Sequence, residues 1–307
     1  MYQFIANIFV LSALATAQFF VQDSTSSVQF FSEQKTQTIK QPKRVNNYSL
    51  GIELSAKSTI IVDKESNAIL YSKNVNSALP MASITKLMTA LVILDQNPEW
   101  EKVVTVVKDD QRNGNIVYVT SGDEVTIKDL FNLMLVASSN EAAVALVRSF
   151  GPDEQTFIEK MNAMAKDMNL RDTVFFDPTG LDSRNISSAR DIAALSRSAF
   201  NRLEIRNITH LSKYEYKILS TKKVKTAYNT NKLLNSFLND KNIGYEVLAA
   251  KTGYVDEAGY NITIEISKDN HPIIITTLGS PDEKSRWQDI KGLADWIYRN
   301  YTWDKAT

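Results

Sequence analysis

The sequence predicts an α+β protein whose strands lie towards the two ends of the domain and whose middle is helical. Five runs have the length and composition of strands: 59–62, 68–71, 248–252, 260–267 and 272–278. Between Asn97 and Tyr228, apolar residues recur mainly at helical spacing instead. Strands and helices segregated in this way are typical of an antiparallel sheet with helices packed on it.

The first predicted elements are a β-hairpin and a buried helix. The runs 59–62 and 68–71 flank a polar turn and predict the hairpin. After Pro80, the apolar spacing predicts a helix that starts at about Ser83 and continues to about Asp95. A short strand is then expected at 103–107.

The helical middle has clear start and stop signals. Thr126 and Asp129 have the spacing of a capping box at the start of one helix. A second helix follows Asn140, and Gly151-Pro152 ends it. Three further helices are predicted at 157–168, 189–201 and 287–301. The last of these should pack on the sheet.

Composition excludes several classes of function. The chain has 307 residues, with Lys plus Arg equal to Asp plus Glu at 35 each, so a nucleic-acid partner has no support. The absence of cysteine excludes disulfides, cysteine nucleophiles and thiolate metal sites. The only two histidines, His210 and His271, give little support to a Ser-His-Asp triad or a zinc site. We therefore expect no metal and no cofactor.

The N-terminal segment predicts export. Residues 1–21 are largely apolar, and Ala15-Thr16-Ala17 supplies the small residues of a cleavage site. No Lys or Arg precedes Lys35, so the basic start of a signal peptide is missing. A cleaved signal peptide and an uncleaved N-terminal membrane anchor both remain open. Residues 22–50 are polar and predict a linker, which leaves 51–307 as a domain outside the cytoplasm.

Ser83 and Lys86 are the candidate nucleophile and base. They are three residues apart in the first turn of the predicted helix, so their side chains share a face. A serine hydroxyl becomes a good nucleophile when a neighbouring base takes its proton. A lysine can be that base when burial or nearby positive charge lowers its pKa.

The order of three motifs distinguishes Ser83/Lys86 from the other pairs in the chain that have the same spacing. The same S-x-x-K spacing occurs at Ser32/Lys35 and at Ser220/Lys223, where no other feature supports chemistry. Ser83/Lys86 opens a predicted helix and is followed along the chain by the S-x-N motif 138–140 and the K-T-G motif 251–253. The three motifs in this order are the signature of penicillin-binding proteins and class A β-lactamases.

With these motifs, the chain resembles the serine D-alanyl-D-alanine carboxypeptidases, which are low-molecular-mass penicillin-binding proteins. The likeness covers about 58–301, including 176–182 and 229–234. It implies a β-lactamase/transpeptidase-like fold, in which helices flank an antiparallel five-stranded sheet. An all-helical subdomain would be inserted at about 108–210, with the active site at the junction.

The resemblance also implies roles for the motif residues. Ser83 would be acylated, Lys86 would be its general base, and Ser138 would pass a proton to the leaving group. The side-chain amide of Asn140 would hold the substrate backbone. Lys251, in the same strand as Gly253, would supply positive charge.

Three further positions are implied to bind the substrate. Thr252 would hydrogen-bond its terminal carboxylate. The N–H groups of Ser83 and Tyr254 would form the oxyanion hole. Arg286 falls where the family carries a basic residue near the carboxylate, and its alternative is an ordinary surface arginine in the first turn of a helix.

The chain departs from the family pattern in three ways. Ser139 stands where glycine is common in the middle motif. Residues 248–250 lack the glycine often found before the K-T-G lysine. The sequence ends at Thr307, so the β-rich C-terminal domain and amphipathic anchor of many members are not expected. Membrane attachment would then depend on the N-terminal segment.

The expected function is a carboxypeptidase that acts on peptidoglycan stem peptides and is inhibited covalently by β-lactam antibiotics. A D,D-endopeptidase of the same fold is the first alternative. A β-lactamase would need a deacylating glutamate, and 159–162 has the wrong spacing for one and lies in a helical pattern. A non-catalytic wall-binding protein is disfavoured because the motif residues are intact.

Overall fold

The computed structural model of the protein describes residues 40–45, 49, 51–112 and 116–303. The predicted signal peptide or anchor at 1–21, and most of the predicted linker at 22–50, lie outside the described residues. Within the described part, no helix combines the length and apolar character needed to cross a bilayer.

The described residues include thirteen strands and seven α-helices. In chain order, the strands are β1 Lys43–Arg44, β2 Ser58–Asp63, β3 Ile69–Lys73, β4 Leu79–Pro80, β5 Val103–Thr105, β6 Glu124–Thr126, β7 Ile186–Ser187, β8 Lys213–Lys217, β9 Val224–Tyr228, β10 Tyr245–Val255, β11 Gly259–Lys268, β12 His271–Ser280 and β13 Tyr301–Thr302. The helices are α1 Lys86–Asp95, α2 Ile127–Val136, α3 Asn140–Ser149, α4 Glu154–Asp167, α5 Ala189–Asn201, α6 Leu203–Thr209 and α7 Glu283–Asn300.

The central element is a five-stranded antiparallel sheet in the order β10-β11-β12-β2-β3. This sheet, with helices on it, confirms the predicted α+β fold. Strand β10, which carries the K-T-G motif, lies at one edge, so its outer side is free of a neighbouring strand within this sheet. That free edge faces the turn that carries Ser83, as β10 packs directly against it.

Both faces of the sheet are buried because alternate side chains enter two separate cores. Ile60 and Ile274 join the larger core with α1, α2 and α5, whereas Ile61 and Ile275 join the smaller core beneath α7. The last helix therefore packs on the sheet, as its apolar spacing predicted.

Side-chain caps set the starts of the helices. The Thr126 hydroxyl accepts a hydrogen bond from the Asp129 N–H and caps α2, as the sequence predicted. Ser139, Ser188 and Asp282 cap α3, α5 and α7 in the same way. The bounds of α5 match the predicted 189–201.

Several predicted boundaries differ from the observed ones. The helix expected from Ser83 begins at Lys86, since residues Ala82–Thr85 form a 3₁₀ turn before it. The hairpin of β8 and β9 and the short helix α6 were not predicted. The lysines at 222–225 obscured the hairpin, because its outward-facing positions are charged and its strands are only half-buried.

Candidate active site

The turn Ala82–Thr85 presents Ser83 at the wall of a cleft. Asn185 O accepts a hydrogen bond from the Met81 N–H and anchors the start of the turn. Ala82 has a left-handed backbone, with φ of 49°, which is unusual for a residue with a Cβ. Backbone strain of this kind concentrates at functional sites. Here it lies directly before the candidate nucleophile.

Lys86 is fully buried, and its ammonium nitrogen contacts three oxygens from three different segments. Lys86 Nζ lies 2.9 Å from Ser83 Oγ, 2.7 Å from Asn140 Oδ1 and 2.7 Å from the Thr179 carbonyl oxygen. The first two partners were expected near Lys86. The Thr179 carbonyl was not expected there. Every residue has a backbone carbonyl, so only the fold determines which one lies beside Lys86.

The loop that carries Thr179 is braced from within. Asp177 accepts hydrogen bonds from the N–H groups of Gly180 and Leu181 and from the Thr179 hydroxyl. Asn185, fully buried, bonds both Asp177 and the Thr85 hydroxyl beside Lys86. The sequence analysis named 176–182 only as a family-like stretch, without a role for any of its residues.

Ser138 and Lys251 form a second hydroxyl–amine pair opposite the first. Lys251 Nζ donates to Ser138 Oγ at 2.7 Å and to the Thr252 carbonyl oxygen at 3.0 Å. Ser138, like Ala82, has a left-handed backbone, with φ of 59°. Next to it, Asn140 Nδ2 is buried and has no hydrogen-bond partner among the described residues. It is therefore an available donor at the site.

The two buried amines have depressed pKa values. Burial lowers the pKa of Lys86 to about 7, and the negative charges of Asp177 and Glu141 partly oppose that effect. Burial also lowers the pKa of Lys251 well below its usual range, and the positive charges of Lys86 and Arg286 lower it further. Of the two causes that the sequence analysis allowed for Lys86, burial and nearby positive charge, burial is the one that lowers its pKa.

Strand β10 approaches the Ser83 turn closely at Gly253. A Cβ at Gly253 would lie 2.8 Å from the Met81 carbonyl oxygen and 3.1 Å from the Ser83 nitrogen. Only glycine allows this approach without displacing the backbone. It brings the Tyr254 end of β10 next to Ser83, where the two N–H groups of the expected oxyanion hole remain a prediction.

Arg286 is buried, so its interpretation as an ordinary surface arginine is wrong. Its side chain is 5% exposed and stacks on the Trp287 ring, with Cζ 4.1 Å from the ring centroid. Its hydrogen bonds to the carbonyl oxygens of Gly253 and Asn261 are long, at 3.5 and 3.3 Å. Its Nε has no partner in the described ranges. Burial lowers its pKa to about 10, so it remains cationic at neutral pH.

These groups meet in a cleft of about 770 Å³ that Ser83, Ser138, Thr252, Tyr254 and Arg286 all line. Lys86 and Lys251 lie behind its wall, fully buried, and contact the two serine hydroxyls. The cleft also includes Asn229 and Thr230, which the sequence had marked only as part of a family-like stretch. The Thr230 and Thr252 hydroxyls lie 2.6 Å apart.

A hydroxyl beside a buried amine of lowered pKa, in an open cleft with cationic and amide donors, defines a serine hydrolase. A family model described as D-alanyl-D-alanine carboxypeptidase matches residues 37–282. The chain belongs to this family.

Two relatives illustrate the likeness within the family. The chain is 31% identical over 253 residues to the D-alanyl-D-alanine carboxypeptidase DacF of Bacillus subtilis. The match covers 80% of this chain and 63% of that protein. It is 28% identical over 258 residues to a D-alanyl-D-alanine endopeptidase of Pseudomonas aeruginosa, covering 80% of this chain and 78% of the relative. The chain thus spans less than two thirds of the length of the Bacillus protein.

The fold matches solved structures of the same class. A Streptomyces DD-transpeptidase is 25% identical and superposes with a TM-score of 0.75, covering 82% of this chain and all of that one. A D-alanyl-D-alanine carboxypeptidase of Mycobacterium tuberculosis, at 23% identity and a TM-score of 0.74, shares the fold. That match covers 84% of this chain and 96% of the Mycobacterium chain.

Proposed function

We propose that this protein is a serine-type D-alanyl-D-alanine carboxypeptidase that acts on peptidoglycan stem peptides through an acyl-enzyme on Ser83. The observation that carries the proposal is the set of three contacts made by Lys86 Nζ, with Ser83 Oγ, Asn140 Oδ1 and the Thr179 carbonyl oxygen. It gives the amine one partner that can donate a proton and two that only accept.

The difference between these partners orients the lone pair of a neutral Lys86 towards Ser83. A neutral amine has two N–H bonds and one lone pair. The Asn140 and Thr179 oxygens take the two N–H bonds, which leaves the lone pair for the Ser83 hydroxyl. Lys86 would then remove the Ser83 proton as the oxygen attacks the carbonyl carbon of the penultimate D-alanine. The pKa of about 7 suits this task at neutral pH.

Ser138 and Lys251 would complete the acylation step. The tetrahedral intermediate collapses when its C–N bond breaks, and the leaving amine must gain a proton. Ser138 Oγ, hydrogen-bonded to Lys251 Nζ at 2.7 Å, would relay it. Water would then attack the acyl-enzyme carbonyl, release the shortened peptide and regenerate the Ser83 hydroxyl.

The substrate would be held at both ends of the scissile bond. Asn140 Nδ2, which has no partner in the part of the chain that the structure describes, would donate to a backbone carbonyl of the stem peptide. The N–H groups of Ser83 and Tyr254 would bind the oxyanion. Arg286 and the Thr252 hydroxyl would bind the terminal carboxylate, for which a buried guanidinium is well suited.

A D,D-endopeptidase that cuts cross-links is the second candidate. The observation that favours it is the likeness to endopeptidases of Pseudomonas aeruginosa, Haemophilus influenzae and Escherichia coli. The two activities share the acyl-enzyme, so the products distinguish them.

The test is to incubate the full chain with monomeric pentapeptide and cross-linked muropeptides and to identify the products by mass. Loss of one alanine from the monomer is the expected result, and Ser83→Ala is the blank. Cleavage of cross-links alone would instead establish the endopeptidase. No product from either substrate would overturn both assignments.

A β-lactamase has less support, because Glu159 is exposed on α4 and bonds Gln155. β-Lactams would therefore inhibit by forming a long-lived adduct on Ser83. Rapid, repeated hydrolysis of penicillin, followed by absorbance, would contradict this.

The peptidoglycan substrate implies action on the outer side of a bacterial membrane. The segment 1–21 would then be a signal peptide or an N-terminal membrane anchor.

A further inference from the structure

Two carboxylates, the half-buried Asp177 and the fully buried Glu141, lie beside the catalytic amine without lining the substrate cleft. Asp177 belongs to the loop that carries the Thr179 carbonyl, and Glu141 follows Asn140 at the start of α3. Each is therefore within two residues of one of the two acceptors that orient Lys86 Nζ. The reaction described above uses neither of them.

Asp177 closes a tight loop around Thr179. Its carboxylate accepts from the Thr179 hydroxyl and from the Gly180 N–H at 2.9 Å, and Asn185 Nδ2 donates to it at 2.8 Å. The loop also packs closely on the Ser83 turn, because a Cβ on Gly180 would overlap the Ala82 carbonyl. The direction of the Thr179 carbonyl thus depends on the Asp177 side chain.

Glu141 closes a similar ring around Asn140. Ser139 Oγ donates to Glu141 Oε2 at 3.0 Å and accepts from the Ala142 N–H at 3.2 Å, so the two neighbours of Asn140 are joined across it. Ser139 and Glu141 are fully buried. The other oxygen of Glu141 has no hydrogen-bond partner within the residues that the structure describes. Ser139, which replaces the glycine common in the family, is the residue that makes this ring possible.

We propose that Asp177 and Glu141 are positioning residues for the Lys86 base: they fix its two acceptors and supply the negative charge that lets a fully buried amine take up a proton. The proposal rests on the function proposed above. It adds to that function a carboxylate pair that acts through Lys86 and does not touch the substrate.

The charges around Lys86 determine whether its pKa rises or falls when a neighbouring carboxylate is removed. Desolvation lowers the Lys86 pKa, and Asp177 and Glu141 raise it. Lys251 on β10 faces the same site and is itself affected by Arg286 on α7. Asp191, the buried carboxylate of α5, bonds the Asp172 N–H and the Thr173 hydroxyl instead. Removing either neighbouring negative charge should lower the Lys86 pKa.

The experiment measures the rate at which fluorescent penicillin acylates Ser83 in the full chain, between about pH 5 and 9. Glu141→Gln keeps an acceptor for Ser139 but removes the charge, so the acid limb of the profile should move to lower pH by about one unit. Asp177→Asn should move it in the same direction and also lower the plateau rate, because the Thr179 loop loses its brace.

A third variant separates charge from geometry. Ser139→Ala opens the ring around Asn140 but leaves the Glu141 carboxylate in place. We expect it to lower the plateau rate and to leave the acid limb where it is. The matched controls are Asp182→Asn, in the same loop but partly exposed and paired with Arg184, and Glu159→Gln on the exposed face of α4. Both should behave as the wild-type protein does.

The outcomes of this experiment distinguish the positioning role of the two carboxylates from a purely structural one. A Glu141→Gln protein whose acid limb coincides with that of the wild type overturns the proposal. A Glu141→Gln protein that has lost its cooperative thermal transition also overturns it, because the carboxylate then serves stability. If the wild-type protein itself fails to label at Ser83, the proposed function is at fault and not the positioning role.

Discussion

The two lysines of the site show how neighbours decide the chemistry of one side chain. Lys86 and Lys251 are both fully buried, and each contacts a serine hydroxyl. Lys86 has two carboxylates nearby that oppose the effect of burial, whereas the charges that act on Lys251 are those of the cations Lys86 and Arg286. These two positive charges lower the Lys251 pKa in addition to the effect of burial.

The two amines influence each other's charge. Like charges in one site disfavour double protonation, so the pair holds one proton more readily than two. At neutral pH the free protein can hold Lys86 at the balance between its two forms, and a proton on Lys86 disfavours one on Lys251. A substrate carboxylate entering the cleft would favour a charged Lys251.

Exchanging each lysine for arginine gives the largest expected contrast. Lys86→Arg should slow acylation by about 10²–10⁴-fold, because a guanidinium stays protonated and cannot accept the Ser83 proton. Lys251→Arg keeps a cationic donor and should lose less. Stopped-flow labelling with fluorescent penicillin measures both rates. Near-normal labelling by Lys86→Arg would rule out Lys86 as the base.

Gly180→Ala should destabilise the Lys86 side of the site. Gly180 has φ of 82°, and an added Cβ would also come within 2.8 Å of Thr85 Oγ1. Strain and overpacking together should cost about 2–5 kcal/mol in the free energy of unfolding. Gly122, with φ of 93° and no heavy atom within 4 Å of the position that an added Cβ would take, is the matched control.

Gly122→Ala should lose only the backbone preference, about 1–2 kcal/mol. Chemical denaturation of the two variants measures the difference. Equal losses would show that the close contact between the Thr179 loop and the Ser83 turn contributes nothing to stability.

The pH dependence tests the protonation state of Lys86 directly. Because the Lys86 pKa is about 7, the neutral base is present above that value and is lost as the pH falls through it. Activity should therefore decline by about tenfold per pH unit below neutrality. The measurement is kcat/KM for a pentapeptide across the acid range. A rate that stays flat down to about pH 5 would contradict the assignment.

Five strand-like runs allowed the sequence to predict the sheet, and the ordered motifs indicated which residues meet at the site. Ser83, Lys86, Ser138, Asn140 and Lys251 could be found because their side-chain types and order are distinctive. The Thr179 carbonyl could not, since a backbone group leaves no mark in a sequence. Nor could the Glu141 ring, which requires Ser139 and Glu141 to be buried together.

The misplaced elements have a similar physical origin. Helical periodicity continues through Ala82–Thr85, so apolar spacing alone could not separate the 3₁₀ turn from α1. The burial of Arg286 depends on the stacking of its guanidinium on Trp287 and on the carbonyls of β10 and β11, which are distant in sequence. First-turn arginines are usually exposed, and tertiary contacts override that tendency here.

Arg286 offers the smallest and most selective test of the Lys251 side. Its guanidinium is buried beside β10, with one N–H unpartnered in the described structure and its only ion pair there, to Glu283, at 3.6 Å. A free C-terminal carboxylate would complete its hydrogen bonding. An amidated terminus would not, because it offers no charge. Arg286→Ala should therefore weaken cleavage of the free acid by about 1.5–3 kcal/mol and spare the amide.

The ratio of kcat/KM for the acid and amide forms of one peptide measures this preference without depending on the absolute rate. Arg299→Ala, on the same helix but exposed and paired with Asp295, is the matched control and should leave the ratio unchanged. Loss of Arg286 also removes one of the cations that lower the Lys251 pKa, so Lys251 becomes easier to protonate and can recover part of the carboxylate affinity. A ratio that Arg286→Ala does not alter would leave carboxylate recognition to Lys251 and Thr252 alone.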